Sequence, residues 1–413
     1  MSDGDVNGEL PGLLAARLQA ELIAFRRDLH KHPELGHSEF YATAAVAARL
    51  QKAGLAPRVL PAGTGLICDI GDTEQEPGAP AVPLLAIRAD LDALPIPDTK
   101  MVSYRSTVPG SAHACGHDLH TTVVLGTGLV LAGLARQDQL PRPVRLIFQP
   151  AEEVTPSGAL EMIEAGALER VEQIIALHCD PAVETGRLGL RQGPLTSACD
   201  QLTVLLDGPG GHTARPHLTT DLVTAAAHVA LDTPAILARR TDTRTGLTLT
   251  WGRLETGHAC NVIPQHAELS GTVRCLNPDP CQDTSTLVRT VISDVATLYG
   301  AVSHVTYRRG APPVVNDPGT TELLRHAMTT RPGPGAVEDT QQSLGSEDFS
   351  WYLQHVPGAM ARLGVRPPDS TTSHDLHRSD FDADEAAIRT GVELLTTAAI
   401  LAPGHRNRKD KAT

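Results

Sequence analysis

Between residues 84 and 177 the chain alternates short, almost wholly apolar runs with segments of helical period, and this restricts the fold more than any other feature. The runs at 84–87, 144–148 and 173–177 show no regular polar face. A strand wetted on one side alternates polar and apolar residues. A continuous apolar run is buried on both faces, as in a parallel sheet between helix layers. Segment 119–135, between the first two runs, is apolar enough for a buried helix, and 159–164 reads as another. Upstream, Leu14, Leu18, Leu22, Phe25 and Leu29 recur at helical spacing over 13–30, with Pro33 just beyond. A second amphipathic helix starts at Ser38 and Glu39 and stops at Gly54. The expectation is an α/β domain with helices on both sheet faces.

The pattern changes near Leu195. Residues 201–206 alternate, a Gly-Pro-Gly-Gly turn follows, 222–231 reads as a helix, and β-like runs recur at 247–251, 267–273 and 302–307. These features suggest a smaller α+β unit inserted into the first domain and left through Arg309 to Pro313. The first domain is expected over 13–196 and 311–402, with helices at 320–328 and 384–400. The insert is expected over 197–310, and flexible tails over 1–12 and 403–413.

At 413 residues there is ample length for two cores. A net charge of −13 argues against nucleic acid or an anionic membrane as partner. Aromatic residues make up 3% of the chain, too few for a wide aromatic-lined groove. The seven cysteines are odd in number and contain no Cys-x-x-Cys pair, which points to reduced thiols rather than a disulfide framework. Residues 1–12 lack a secretory pattern, so a soluble, cytoplasmic protein is expected.

Two short loops concentrate the chemistry. Cys115 and His117 stand two apart in His113-Ala-Cys-Gly-His-Asp118, and Glu152 and Glu153 close Gln149-Pro-Ala-Glu-Glu153. Thiolate, imidazole and carboxylate are the ligand types for divalent transition metals. The Cys-His pair can chelate, can act as nucleophile and base, or can be a small buried side chain beside a capping histidine. In extended chain, neighbouring glutamates point opposite ways, so one can coordinate while the other serves as a base; equally, both can be solvated acids at a helix start. His178 follows the run 173–177, and sites in open α/β sheets gather at strand carboxyl ends. His212, Asn261, His374 and His377 say little in isolation.

Taken together, segments spread from Arg26 to Ile400 resemble the metal-dependent aminoacylase/carboxypeptidase superfamily. The branch they are most similar to contains hippurate hydrolases, indoleacetyl-amino-acid hydrolases and N-acyl-amino-acid amidohydrolases. The resemblance rests on Leu29-His-Lys-His-Pro-Glu-Leu35, Arg88-Ala-Asp-Leu-Asp-Ala-Leu-Pro95, the two loops above, Gly211-His212, Asn261-Val-Ile-Pro264, Gly271-Thr-Val-Arg274 and Gly345-Ser-Glu-Asp-Phe349. It implies a two-domain metallopeptidase-like fold: an α/β catalytic domain with an inserted lid and dimerisation domain, commonly a homodimer. It implies metal ligands at Cys115, His117, Glu153, His178 and His377, with Cys115 bridging, and Glu152 as general acid/base. His212 would contact the reacting carbonyl, and Asn261 and Arg274 the substrate. Two divalent ions, manganese or zinc with cobalt or nickel as alternatives, would then support hydrolysis of an N-acyl amino acid. One departure is that Arg378 and Ser379 follow His377, where many members have Asn-Pro or Ser-Pro. A thiol hydrolase using Cys115 and a silent ligand-binding member of the same fold are the rival readings.

Overall fold

The computed structural model describes residues 6–71, 84–277, 284–330, 337–368, 370 and 374–402. The expected tail at 403–413 and the first five residues lie outside that set. The chain divides into two compact units. One runs to Gly193 and takes in Val315–Gln341 and the chain from Trp351 on; the other is Pro194–Val314 with Gln342–Ser350. Sequence reading assigns Gln342–Ser350 to the first domain. In the second unit its Ser343 N–H donates to Leu195 O, and its Leu344 O accepts from Ser197 Oγ. An irregular loop has no apolar period to mark which core it joins.

The first unit is built on one eight-stranded sheet. Its strands, in chain order, begin β1 (Arg58–Val59), β2 (Leu66–Ile70), β3 (Leu84–Asp90), β4 (Val144–Gln149), β5 (Val171–Glu184) and β6 (Leu188–Leu190). The spatial order is β1-β2-β4-β3-β5, then Gly358–Arg366, β6 and Val337–Asp339. β4, β3, β5 and Gly358–Arg366 are parallel. Parallel neighbours need a crossover. Helices α3 (His117–Ala135) and α4 (Gly158–Glu164) lie between β3 and β4 and between β4 and β5 in the chain.

Every residue of β3 and β4 is buried, which is why those runs carry no polar face. On one face, Leu85, Ile87, Leu146 and Ile175 share a core with Leu119 and Val123 of α3 and Val392 of the last helix, Ala386–Leu401. On the other face Ala86, Ile147, Ile174 and Met360 are equally buried, and α4 packs against β4. α3 has the length and composition of a membrane span, but 89% of its most apolar window is buried inside the protein, so it is a core helix.

Two sequence expectations change here. α1 spans Val6–Lys31, so the stretch from Val6 to Gly12 is helical rather than a tail. Gly12 is buried within it, and a side chain there would meet Glu393. β5 does not end at Leu177, because Gly358–Arg366, an unanticipated strand, pairs along it as far as Glu184.

In the second unit Thr248–Thr256, His266–Cys275, Ala198–Asp207 and Val302–Arg308 form an antiparallel sheet in that order. Burial along Ala198–Asp207 alternates, the mark of a sheet with one covered face. That face packs on α5 (Leu222–Arg240) and on Thr284–Leu298, a helix not anticipated from sequence. Among the described cysteines, Cys275 alone takes part in a disulfide, which qualifies the expectation of reduced thiols.

Candidate metal centre

β3 and β4 end side by side, with Asp90 opposite Gln149, and the chain just beyond carries a dense polar cluster. Arg88 Nη1 and Asp90 Oδ2 form a fully buried pair at 2.6 Å. Asp90 Oδ1 accepts from His120 Nδ1 at 2.7 Å, and His120 Nε2 accepts the Cys179 N–H at 2.8 Å. Asp90, His117 and His120 are close enough to share an ion. Both ring nitrogens of His120 are nonetheless occupied, so it has no lone pair to give.

Cys115 and His117 flank Gly116, which has φ 85°. A Cβ there would sit 2.6 Å from Cys179 Sγ. Only glycine both adopts this left-handed turn and lets the loop seat against β5. α3 begins at His117, whose Nδ1 lies 3.1 Å from Asp92 Oδ1. A carboxylate accepts, so the partners assign the proton to Nδ1 and the lone pair to Nε2. That Nε2 is buried without a hydrogen-bond partner. In β5, His178 Nδ1 donates to Cys179 O at 2.8 Å, which leaves its Nε2 3.5 Å from Cys115 Sγ.

The loop after β4 is pinned twice: Ala151 N–H donates to Glu39 Oε1 at 2.7 Å and Glu153 N–H to Asp92 Oδ2 at 2.9 Å. Asp92 thus holds a ring and a backbone at once. His377, at φ 64°, reaches the cluster through its N–H to Ala114 O (2.8 Å), and its Nε2 stands 3.1 Å from Glu153 Oε1. Three triplets result: Cys115, His117 and His178; Cys115, Glu153 and His377; His117, Glu152 and Glu153. In each, the donor atoms lie within 4.8 Å of one another. They share members, so six side chains form one cluster with donors on either side of Cys115.

The glutamates depart from expectation. Glu152 and Glu153 both converge on His117 instead of pointing apart, because Ala151 has positive φ (52°) and 152–155 is bent rather than extended. His374 stays outside the cluster and pairs with Asp380 at 2.8 Å. His212, Asn261 and Arg274 belong to the second unit. There His212 pairs with Val262 in a two-stranded ladder, and Thr213 N–H reaches Asn261 O at 3.4 Å, so these two share one turn. Arg274 is on a different strand, donating to Leu344 O.

Electrostatics fit a cation in the first unit. Burial pushes the Cys115 thiol well above its ordinary range. Burial, with Arg362 nearby, pushes His178 well below its own. His117 is pushed the other way: burial opposes its charge, but Asp90, Cys115 and Asp92 together raise it well above the usual imidazole value. Two imidazoles with Nδ1 tied back, an orphaned Nε2, a thiol and paired carboxylates are the donor set of a divalent transition metal. Sequence reasoning gave no role to Glu39, Asp90, Asp92 or His120. Two carboxylates at the carboxyl end of a buried strand were the available signal.

The profile of Peptidase family M20/M25/M40 matches residues 86–400. A putative glutamate–cysteine ligase of Rhodococcus jostii is 46% identical over 91% of this chain, but the chain spans only 46% of that protein's length. An N-acetyl-L-cysteine deacetylase of Bacillus subtilis is 35% identical over 90% of this chain and 85% of its own. Among solved structures, a Bacillus subtilis protein described as a dinuclear metal-binding peptidase of the M20 family superposes with TM-score 0.80. It is 30% identical, covering 93% of this chain and 98% of its own.

Proposed function

The chain belongs to peptidase family M20/M25/M40 and is a metal-binding hydrolase; we propose that it is a two-metal amidohydrolase acting on N-acyl amino acids or close amide relatives. What carries the proposal is the convergence of Cys115 Sγ, the unpartnered Nε2 of His117 and the Nε2 of His178 beside Glu152, Glu153 and His377. Cys115, His117, Glu153, His178 and His377 would hold the ions. Bound there, such ions polarise a carbonyl and make water acidic enough to attack near neutral pH. The proposed nucleus is zinc or manganese, with cobalt or nickel as alternatives.

Glu152 is the proposed general acid/base. It takes the proton of the attacking water and returns it to the leaving nitrogen. His212 is the proposed donor to the developing oxyanion, and Asn261 and Arg274 are the proposed substrate contacts on the second unit. A homodimer is proposed on the family resemblance. The deacetylase relative makes short acyl groups the first substrates to try.

A thiol mechanism is the weaker reading. A nucleophilic cysteine works as thiolate, with a lowered pKa. Here burial holds Cys115 as a thiol, and it holds the adjacent His178 below its usual basicity. The deciding test is amine release, followed by mass spectrometry, from a pooled panel of N-acyl amino acids with metal-reconstituted protein. Selective release supports the proposal. No release from a chain carrying two ions would remove N-acyl amino acids as substrates.

A further inference from the structure

His377 is the donor with the least support of its own. Its side chain is 54% exposed, and among the described residues nothing hydrogen-bonds its Nδ1. Its loop, however, is gripped from behind. Lys100 Nζ donates to Phe381 O at 2.7 Å, Tyr104 OH donates to Asp382 Oδ2 at 2.6 Å, and Thr99 N–H donates to Ser379 O at 2.9 Å. Arg26, fully buried in α1, places Nη2 2.9 Å from Asp382 Oδ1 and Nη1 3.5 Å from Glu385 Oε1.

The same guanidinium reaches the other ligand loop. Arg26 Nε is 2.7 Å from Asp118 Oδ2, and Asp118 follows His117 directly. His30 joins the two layers: Nδ1 is 2.7 Å from Asp118 Oδ2 and Nε2 is 2.8 Å from Lys100 Nζ. The same Nε2 is 3.2 Å from Asp98 Oδ2, which also lies 3.5 Å from Lys100 Nζ, so the ring, the ammonium and this carboxylate form one group. The network therefore runs unbroken from the residue beside His117 to the loop carrying His377.

We propose that Arg26, Lys100 and Tyr104 are positioning residues that fix the His377 loop against the Cys115–Asp118 loop, and so set the affinity for the ion that His377 holds. This inference rests on the proposed ligand set. It supplies a purpose for buried charges that lie outside the proposed donor set. Burying several ions is costly unless they are mutually paired, and such networks specify geometry more dependably than they add stability. Removing Arg26 would strand Asp118, so the useful variants lie at the network's edge.

The experiment is metal titration by calorimetry, with metal content by mass spectrometry, on the full chain and on Tyr104→Phe, Lys100→Met and Lys100→Arg. The unmodified chain should take up two ions. In Tyr104→Phe and Lys100→Met one ion should weaken about 10- to 100-fold, the range for residues that orient metal ligands. The other ion should hold, and Lys100→Arg should recover most of the loss. Apo-protein melting temperatures serve as the control. A drop in melting temperature with both affinities unchanged would make the network merely structural and overturn the inference. An unmodified chain that binds no metal would overturn the proposed function as well, which separates the two failures.

Discussion

The His117 ring faces Asp92 through Nδ1 and Oδ1 at 3.1 Å, while the second oxygen of that carboxylate receives the Glu153 N–H at 2.9 Å. One side chain thereby decides which nitrogen of His117 is free and where Glu153 starts. Asp92→Asn can present an amide N–H to Nδ1 and favour the wrong tautomer. Metal affinity should fall about 10- to 100-fold. Calorimetric titration giving wild-type affinity would deny Asp92 this role.

Glu152→Gln tests the base. The amide keeps the size of the side chain but cannot take a proton. Turnover should fall about 100- to 10,000-fold, with metal content unchanged. Near-normal turnover in a fully loaded variant would remove Glu152 from the mechanism.

Chelation separates metal from thiol chemistry. Dialysis against a strong chelator should abolish hydrolysis, and zinc or manganese should restore it. Iodoacetamide should modify the exposed Cys260 but react slowly at Cys115 in the loaded protein, because Cys115 is only 6% exposed. Rapid alkylation with loss of activity, together with indifference to chelator, would favour the thiol reading.

Gly116→Ala imposes a Cβ at φ 85° and 2.6 Å from Cys179 Sγ. Strain of this kind costs about 1–3 kcal/mol. Because the strain falls between two proposed donors, metal uptake should suffer along with the melting temperature. A variant with both properties intact would show that the loop relaxes freely.

Glu39 gives a pH test away from the ligands. Burial pushes its carboxyl up to about 7 from an ordinary 4.5, although the Ala151 and His37 N–H groups favour the charge. A raised folded-state value favours the protonated form. The contribution to stability is therefore full below pH 4.5 and is lost as pH rises through 7. The loss is on the order of 3 kcal/mol, at about 1.4 kcal/mol per pH unit over the shift from 4.5 to about 7. In chelator-treated protein, Glu39→Gln should flatten the denaturant midpoint between pH 5 and 7. An unchanged slope would place the titration elsewhere.

The central sheet was legible because β3 and β4 are buried on both faces and their composition says so. The second unit's first strand was legible for the opposite reason, through alternation. What sequence did not reveal lacks a period of its own. Gly358–Arg366 is a strand because β5 offers it an edge. Gln342–Ser350 joins the second unit through a few hydrogen bonds to Leu195 and Ser197. At the site, the chemical types of Cys115, His117, Glu153 and His178 were readable from two loops and a strand end. The convergence of Glu152 and Glu153 was not, because it depends on a bent backbone after Ala151. Nor were the tautomers: Asp92, on another segment, sets that of His117, and the local backbone turns the Cys179 carbonyl onto His178 Nδ1.

The proposed donors are unevenly placed along the chain. Cys115, His117, Glu153 and His178 all precede the second unit, and His377 follows all of it. Asp382 and Glu385, the partners of Arg26, come later still. A chain emerging from the ribosome thus owns four donors while the whole inserted unit is still unmade, and gains the fifth only after that unit is complete. An ion that depends on His377 can settle only after that unit has been synthesised and the last loop has closed over Arg26. Its presence certifies that both stretches of the first unit flanking the insert have been made.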